Sequence, residues 1–152
     1  MSDSETIYDV PRLLQMSRAE LDDLFSARDP GSIPDGKGKG TAIVAPGSEL
    51  NVVLAHLIRI LWWQGKIFDA RAGRLRNRIL ALSIGAIVAK VYPGTSWLDG
   101  KPCIVLDYSE TSFVAKRIRD EIRQVQPGLY LGKVYWGKTR LIDFALELAA
   151  AR

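Results

Sequence analysis

The side chains best suited to chemistry lie in the second half of the chain. Asp107 and Tyr108 end the apolar run PCIVL, and the stretch from Arg117 to Trp136, RIRDEIRQVQPGLYLGKVYW, carries Arg119, Asp120, Glu121, Tyr130 and Trp136. A carboxylate whose pKa is raised by burial can act as a general base, and a nearby tyrosine or arginine can stabilise developing negative charge. On that chemistry Asp107, Tyr108 and Asp120 are the candidate catalytic residues of an isomerase, cyclase or dehydratase acting on a compact apolar substrate. The same residue types serve binding. Aromatic walls with a few polar anchors hold an apolar molecule, and an arginine with tyrosines can hold its carboxylate. The candidate ligand-binding residues are Trp62, Lys90, Tyr92, Tyr108, Arg119, Glu121, Tyr130 and Trp136. Of the two readings, the sequence favours binding of a small hydrophobic or amphipathic ligand, such as a fatty acid or other lipid, over catalysis.

Other chemistries lack their residues. His56 is the only histidine, so neither a metal cluster nor a Ser-His-Asp triad can be built around it, and no metal or cofactor is expected. Gly31, Gly36 and Lys37 match part of a phosphate-binding loop, but Gly38 stands where Ser or Thr belongs and no apolar strand precedes it. Cys103, the single cysteine, cannot form an internal disulfide and reads as a small buried hydrophobe.

The elements that position these residues are mostly strands. Strand geometry puts Arg117, Arg119, Glu121, Arg123 and Val125 on one face, and Ile118, Asp120, Ile122 and Gln124 on the other. The charged face either lies in water or turns into a cavity and pairs with Tyr, Asp and Lys groups of neighbouring strands; the pattern leaves both open. Gln126-Pro127-Gly128-Leu129 suits a type II turn, and Asp99-Gly100 between apolar runs signals a hairpin joining Val88–Tyr92 to Ile104–Tyr108. GKGKGTAIV reads as a first strand whose alternating glycines leave room for a close crossing. GKIFDARAGRLRNRIL reads as a strand, a turn near Ala72-Gly73, then a strand. TRLIDFALELAA is either a last strand or a C-terminal helix.

Before these strands, PRLLQMSRAELDDLFSAR is helical, with a Ser17–Glu20 capping box and Leu21, Leu24 and Phe25 on one face. Leu50–Trp63 also has helical spacing and is apolar on its back. The expected organisation is therefore an α+β chain: an N-terminal helical arm over residues 1–35, then an antiparallel barrel domain over 36–152 with one helix inserted after the first strand.

In these features the chain resembles the calycin and lipocalin-like group of ligand-binding barrels. The resemblance rests on GKGKGTAIV as first strand, WWQGKIFD as the closing aromatic segment and the successive hairpins from Ile84 to Leu148. It implies an antiparallel barrel around a hydrophobic small molecule. It departs at Lys37 and Lys39, where the group's first strand places a tryptophan between glycines. With no histidine after His56, haem does not carry over.

Charge is unevenly spread. The first 36 residues hold eight acids and three bases, a net of −5, and the remainder holds eighteen bases and nine acids, a net of +9. An acidic arm can simply pack on a basic body. The arginines of ARAGRLRNR also suit an anionic surface, so peripheral membrane contact is open, while no specific nucleic acid is expected. The apolar back of the Leu50–Trp63 helix could form a homodimer surface. The absence of a signal peptide or a span of about 20 apolar residues suggests a soluble cytoplasmic protein.

Overall fold

The structure, a computed structural model, describes residues 6–44, 66–77, 88–109 and 117–149. Its strands are β1 (Gly36–Ile43), β2 (Lys66–Asp69), β3 (Arg74–Asn77), β4 (Val88–Thr95), β5 (Pro102–Asp107), β6 (Ile118–Gln126), β7 (Leu129–Trp136) and β8 (Thr139–Leu148). Each pairs antiparallel with its neighbour in sequence, and β1 also pairs with β8, so the sheet closes into a barrel. TRLIDFALEL is thus the closing strand rather than a helix. The predicted helix at Leu50–Trp63, with His56 and Trp62, lies outside the described residues.

Alternation of side chains sets the two surfaces. Ile104, Leu106, Ile118, Ile122, Tyr130, Val134, Phe144 and Leu146 belong to the cluster on the inner face of the barrel, at two-residue spacing along β5–β8. The hairpins form where the sequence supplies turn residues. Gly128, at φ +80°, occupies the left-handed position that a type II turn needs after Pro127. Gly132 allows a different thing: a Cβ there would stand 2.2 Å from the Phe144 ring, so the ring leans directly on the β7 backbone.

Two helices precede the barrel, α1 (Val10–Leu14) and α2 (Arg18–Ser26). Asp9 caps α1, accepting a bond from the Arg12 N–H at 2.8 Å. Ser17 and Glu20 form the capping box of α2, each side chain accepting from the other's backbone N–H at 3.1 Å. Leu13, Leu21, Leu24 and Phe25 are buried against Cys103, Val105, Leu129, Leu131 and Ala145. Those partners point outward from β5, β7 and β8, so the arm lies on the outside of the barrel. No helix among the described residues is long and apolar enough to cross a membrane.

Candidate functional site

The strand registers stack the interior into layers. Ile118 faces Trp136 across β6–β7, and Tyr108 follows directly on the last residue of β5, so these three lie at one end of the barrel. The next layer in is Val91, Leu106, Asp120 and Val134, successive partners across β4–β7. Below it come Ile104, Ile122, Gly132 and Phe144. With no side chain on Gly132, the Phe144 ring fills that layer and makes a floor beneath Asp120.

The far end is closed by the segment that leads from the arm into β1. The Gln124 N–H donates to the Pro30 carbonyl at 3.0 Å, the Tyr130 hydroxyl donates to the Ser32 carbonyl at 2.5 Å, and Ile33 packs on the interior cluster. Burial raises the Tyr130 pKa, which keeps its hydroxyl a donor. Tyr130 therefore belongs to the sealed end, spent on holding this segment.

Asp120 is the exceptional interior residue. It is 0% exposed, between Ile118 and Ile122 on its own strand and opposite Leu106 and Val134 on the adjacent ones. A carboxyl in such surroundings meets a low dielectric. Tyr108, also 0% exposed, lies one layer nearer the end. Among the sequence candidates, the structure brings together Tyr108, Asp120 and Trp136 at one end of the interior.

The remaining candidates point the other way. Lys90, Tyr92, Asp107, Arg119 and Glu121 share the outward face: Lys90 is opposite Asp107, and Asp107 is opposite Arg119. They cannot line the interior with Asp120, because odd and even residues of a strand leave opposite sides of the sheet. Trp62 lies outside the described residues. The Tyr92 hydroxyl donates to Asp107 Oδ2 at 2.7 Å. Burial would raise the Asp107 carboxyl, but hydrogen bonds from Ser109 and Tyr92 outweigh it and hold it below its usual range. That is the wrong direction for a general base of raised pKa.

The charged face of β6 takes neither of the two expected positions. It points out of the barrel, where Glu121 and Arg123 are buried, Arg119 is half-buried and Arg117 is exposed. Glu121 is 0% exposed and accepts from the Ser96 hydroxyl at 2.7 Å, the Trp97 N–H at 2.8 Å and Arg119 at 3.1 Å. Arg123 donates to both oxygens of Asp99, at 2.6 and 2.7 Å, and to the Phe25, Lys101 and Pro102 carbonyls. Those hydrogen bonds hold the Asp99 carboxyl far below its usual range. Lys133 Nζ donates to Asp22 of α2 at 2.7 Å and to Asp143 at 2.9 Å, and Arg140 also bonds Asp22. The arm supplies Asp22 and the Phe25 ring and carbonyl, so this network fastens the arm to the barrel.

Sequence reasoning did not single out Lys133, Arg140, Asp143 or Asp22. Their signal was the acidic arm on a basic body: Asp22 is one of the arm's acids and Lys133 and Arg140 are bases of the body. Cys103 lies in the apolar layer beneath the arm, where burial pushes its thiol up to about 12, far from a reactive thiolate. Among the described residues no group of three or more His, Cys, Asp or Glu side chains is placed to hold a metal ion.

The chain matches no family model and no curated protein. Its architecture is shared by a solved structure. A protein from Thermomonospora curvata, known by crystal structure, superposes with a TM-score of 0.59 at 16% sequence identity, over 89% of each chain. At that identity the likeness is one of fold.

Proposed function

We propose that the protein binds a small, largely apolar molecule inside the barrel, at the end bounded by Tyr108, Ile118 and Trp136, with Asp120 as the polar anchor. The observation that carries this reading is the placement of Asp120. A carboxyl fully removed from water stands there in an otherwise apolar wall of Ile118, Ile122, Leu106 and Val134. A single polar group in such a wall can orient a ligand. Aromatic and aliphatic walls with very few polar groups are the usual composition of a small-molecule site in a barrel.

The reading differs from an arginine clamp for a carboxylate. Arg119 and Lys90 are on the outside, so among the described residues the anchors at this end are a carboxyl and a phenol. The favoured ligand is therefore one whose polar end offers a hydroxyl or amine, with an aliphatic or ring body.

Native mass spectrometry of the protein purified without added ligand is the direct test. A non-covalent adduct of one small molecule per chain, released on denaturation and absent from an Asp120→Leu variant that remains folded, supports the reading. A spectrum with the bare chain mass alone, unchanged after incubation with a panel of long-chain alcohols, amines and ring alcohols, counts against it.

A further inference from the structure

The arm divides the outer surface of the barrel. It covers the apolar outward residues of β5, β7 and β8, and beyond its edge lie two exposed aromatic side chains, Tyr92 at 37% and Trp97 at 50%. Neither is loose. The Arg119 guanidinium stacks 4.2 Å from the Trp97 ring centroid and donates to the Thr95 carbonyl at 2.7 Å. Trp97 also meets Tyr135 edge-on, with centroids 5.1 Å apart. The Tyr92 hydroxyl is tied to Asp107. The structure thus holds two amphipathic rings at the surface, with the Tyr92 hydroxyl fixed on the protein side.

Bases surround the rings. Arg74 and Lys90 are neighbours across the β3–β4 ladder, both exposed, and Arg117 is exposed at the start of β6. Among the described residues the acids near the rings are Glu121, buried and bonded to Arg119 and the Trp97 N–H, Asp107, bonded to Tyr92 and to the Ser109 N–H, and Asp69, whose side chain accepts from the Ala72 N–H. The acids of the arm, among them the exposed Asp9, Glu20, Asp23 and Asp29, are gathered in the first 36 residues, with their net charge of −5 against +9 for the rest. An anionic plane attracts the uncovered side and repels the arm, which orients the molecule with its exposed rings toward that plane.

We propose that this face, centred on Trp97, Tyr92 and Arg119, docks the protein on an anionic phospholipid surface. Tryptophan and tyrosine settle at headgroup depth, where the ring is in an apolar region and its polar handle is not. Each lysine or arginine held near an anionic leaflet contributes roughly a five-fold gain in binding. The proposal stands whether or not the barrel carries a ligand, because every residue in it is on the outside.

Co-sedimentation with phospholipid vesicles tests it. The full chain should pellet with phosphatidylcholine vesicles containing about one-third phosphatidylglycerol and stay in solution with phosphatidylcholine alone. Binding should fade at about 0.5 M salt. The double variant Arg74→Glu/Lys90→Glu should weaken it about ten-fold or more, and Trp97→Ser should weaken it too, with melting curves confirming that both remain folded. Should the double variant not fold, the salt dependence and Trp97→Ser decide. Absence of pelleting with the anionic vesicles, pelleting that ignores lipid charge, or binding that neither variant changes would overturn the proposal. So would tight binding of a single-stranded oligonucleotide, lost in both variants, by a protein that ignores vesicles.

Discussion

Lys133 and Asp143 face each other across β7 and β8 on the outside of the barrel, Nζ 2.9 Å from Oδ2, at 0% and 4% exposure. An ion pair on the outer surface of a barrel is ordinarily wet and contributes little. This one is dry because α2 lies over it and Asp22 supplies a second carboxylate to the same ammonium at 2.7 Å. Burial makes the pair costly to break, since a lone partner is left charged away from water. The arm and the sheet are therefore fastened together by their polar groups as well as their apolar ones.

Replacing Lys133 by Met leaves Asp143 and Asp22 with Arg140 alone, and the expected loss is about 3 kcal/mol of unfolding free energy in a denaturant titration. The double variant Lys133→Met/Asp143→Leu should recover part of that loss, because it removes the orphaned charge along with its partner. Equal losses in the single and double variants would show that the pair contributes nothing specific.

The arm's attachment should also depend on pH. Hydrogen bonds from Arg123 hold Asp99 below its usual 3.8; at Asp22, burial raises the carboxyl, and the bonds from Arg140 and Lys133 more than reverse it. Both groups therefore bind a proton less readily in the folded chain than in the unfolded one. The stability they contribute is present above the unfolded value and drains away as pH falls below about 4. Asp99→Asn should be less stable than the parent at about pH 6 and should lose less on acidification, so that the two curves converge toward about pH 2 in urea melts. Parallel curves would rule out this linkage.

Gly132 tests the packing of the floor. Gly132→Ala places a methyl group 2.2 Å from the Phe144 ring, and overpacking of that kind costs about 1–3 kcal/mol. Phe144→Leu in the same chain should relieve most of it, measured by thermal melts of the single and double variants. If Gly132→Ala is neutral on its own, the ring does not rest on the β7 backbone.

Much of the fold was legible from short-range pattern. The capping box, Pro127-Gly128 and the alternation along β4–β7 each act within a few residues, and the structure has α2, the β6–β7 turn and those strands where the pattern puts them. The candidate site was legible only in part, for a geometric reason. Period-two alternation says that Arg119 and Glu121 share a face and that Asp120 has the other, but not which face is inside. The count of charges suggested water for the first face. The answer depended on residues about a hundred positions away in the arm, where Phe25 and Asp22 dry the outward face with apolar contact and countercharge. Asp120, meanwhile, lies among isoleucines on the face that the apolar majority drives inward. The alternatives for 139–148 could not be separated for a similar reason, since only closure onto β1 makes that segment a strand.

An equilibrium titration of the parent chain and of Asp120→Asn decides whether a ligand is held inside the barrel. A fluorescent long-chain alcohol, displaceable by its unlabelled form, should saturate at one molecule per chain. Asp120→Asn keeps the shape of the side chain but replaces one carboxyl oxygen with an NH2 group, and a buried polar group left without its partner costs about 1–3 kcal/mol, so affinity should fall by about ten-fold. Exposed Lys90→Ala should bind as the parent does. Identical isotherms for the parent and Asp120→Asn, or binding that only the outer-face variant disturbs, would contradict a site built around Asp120.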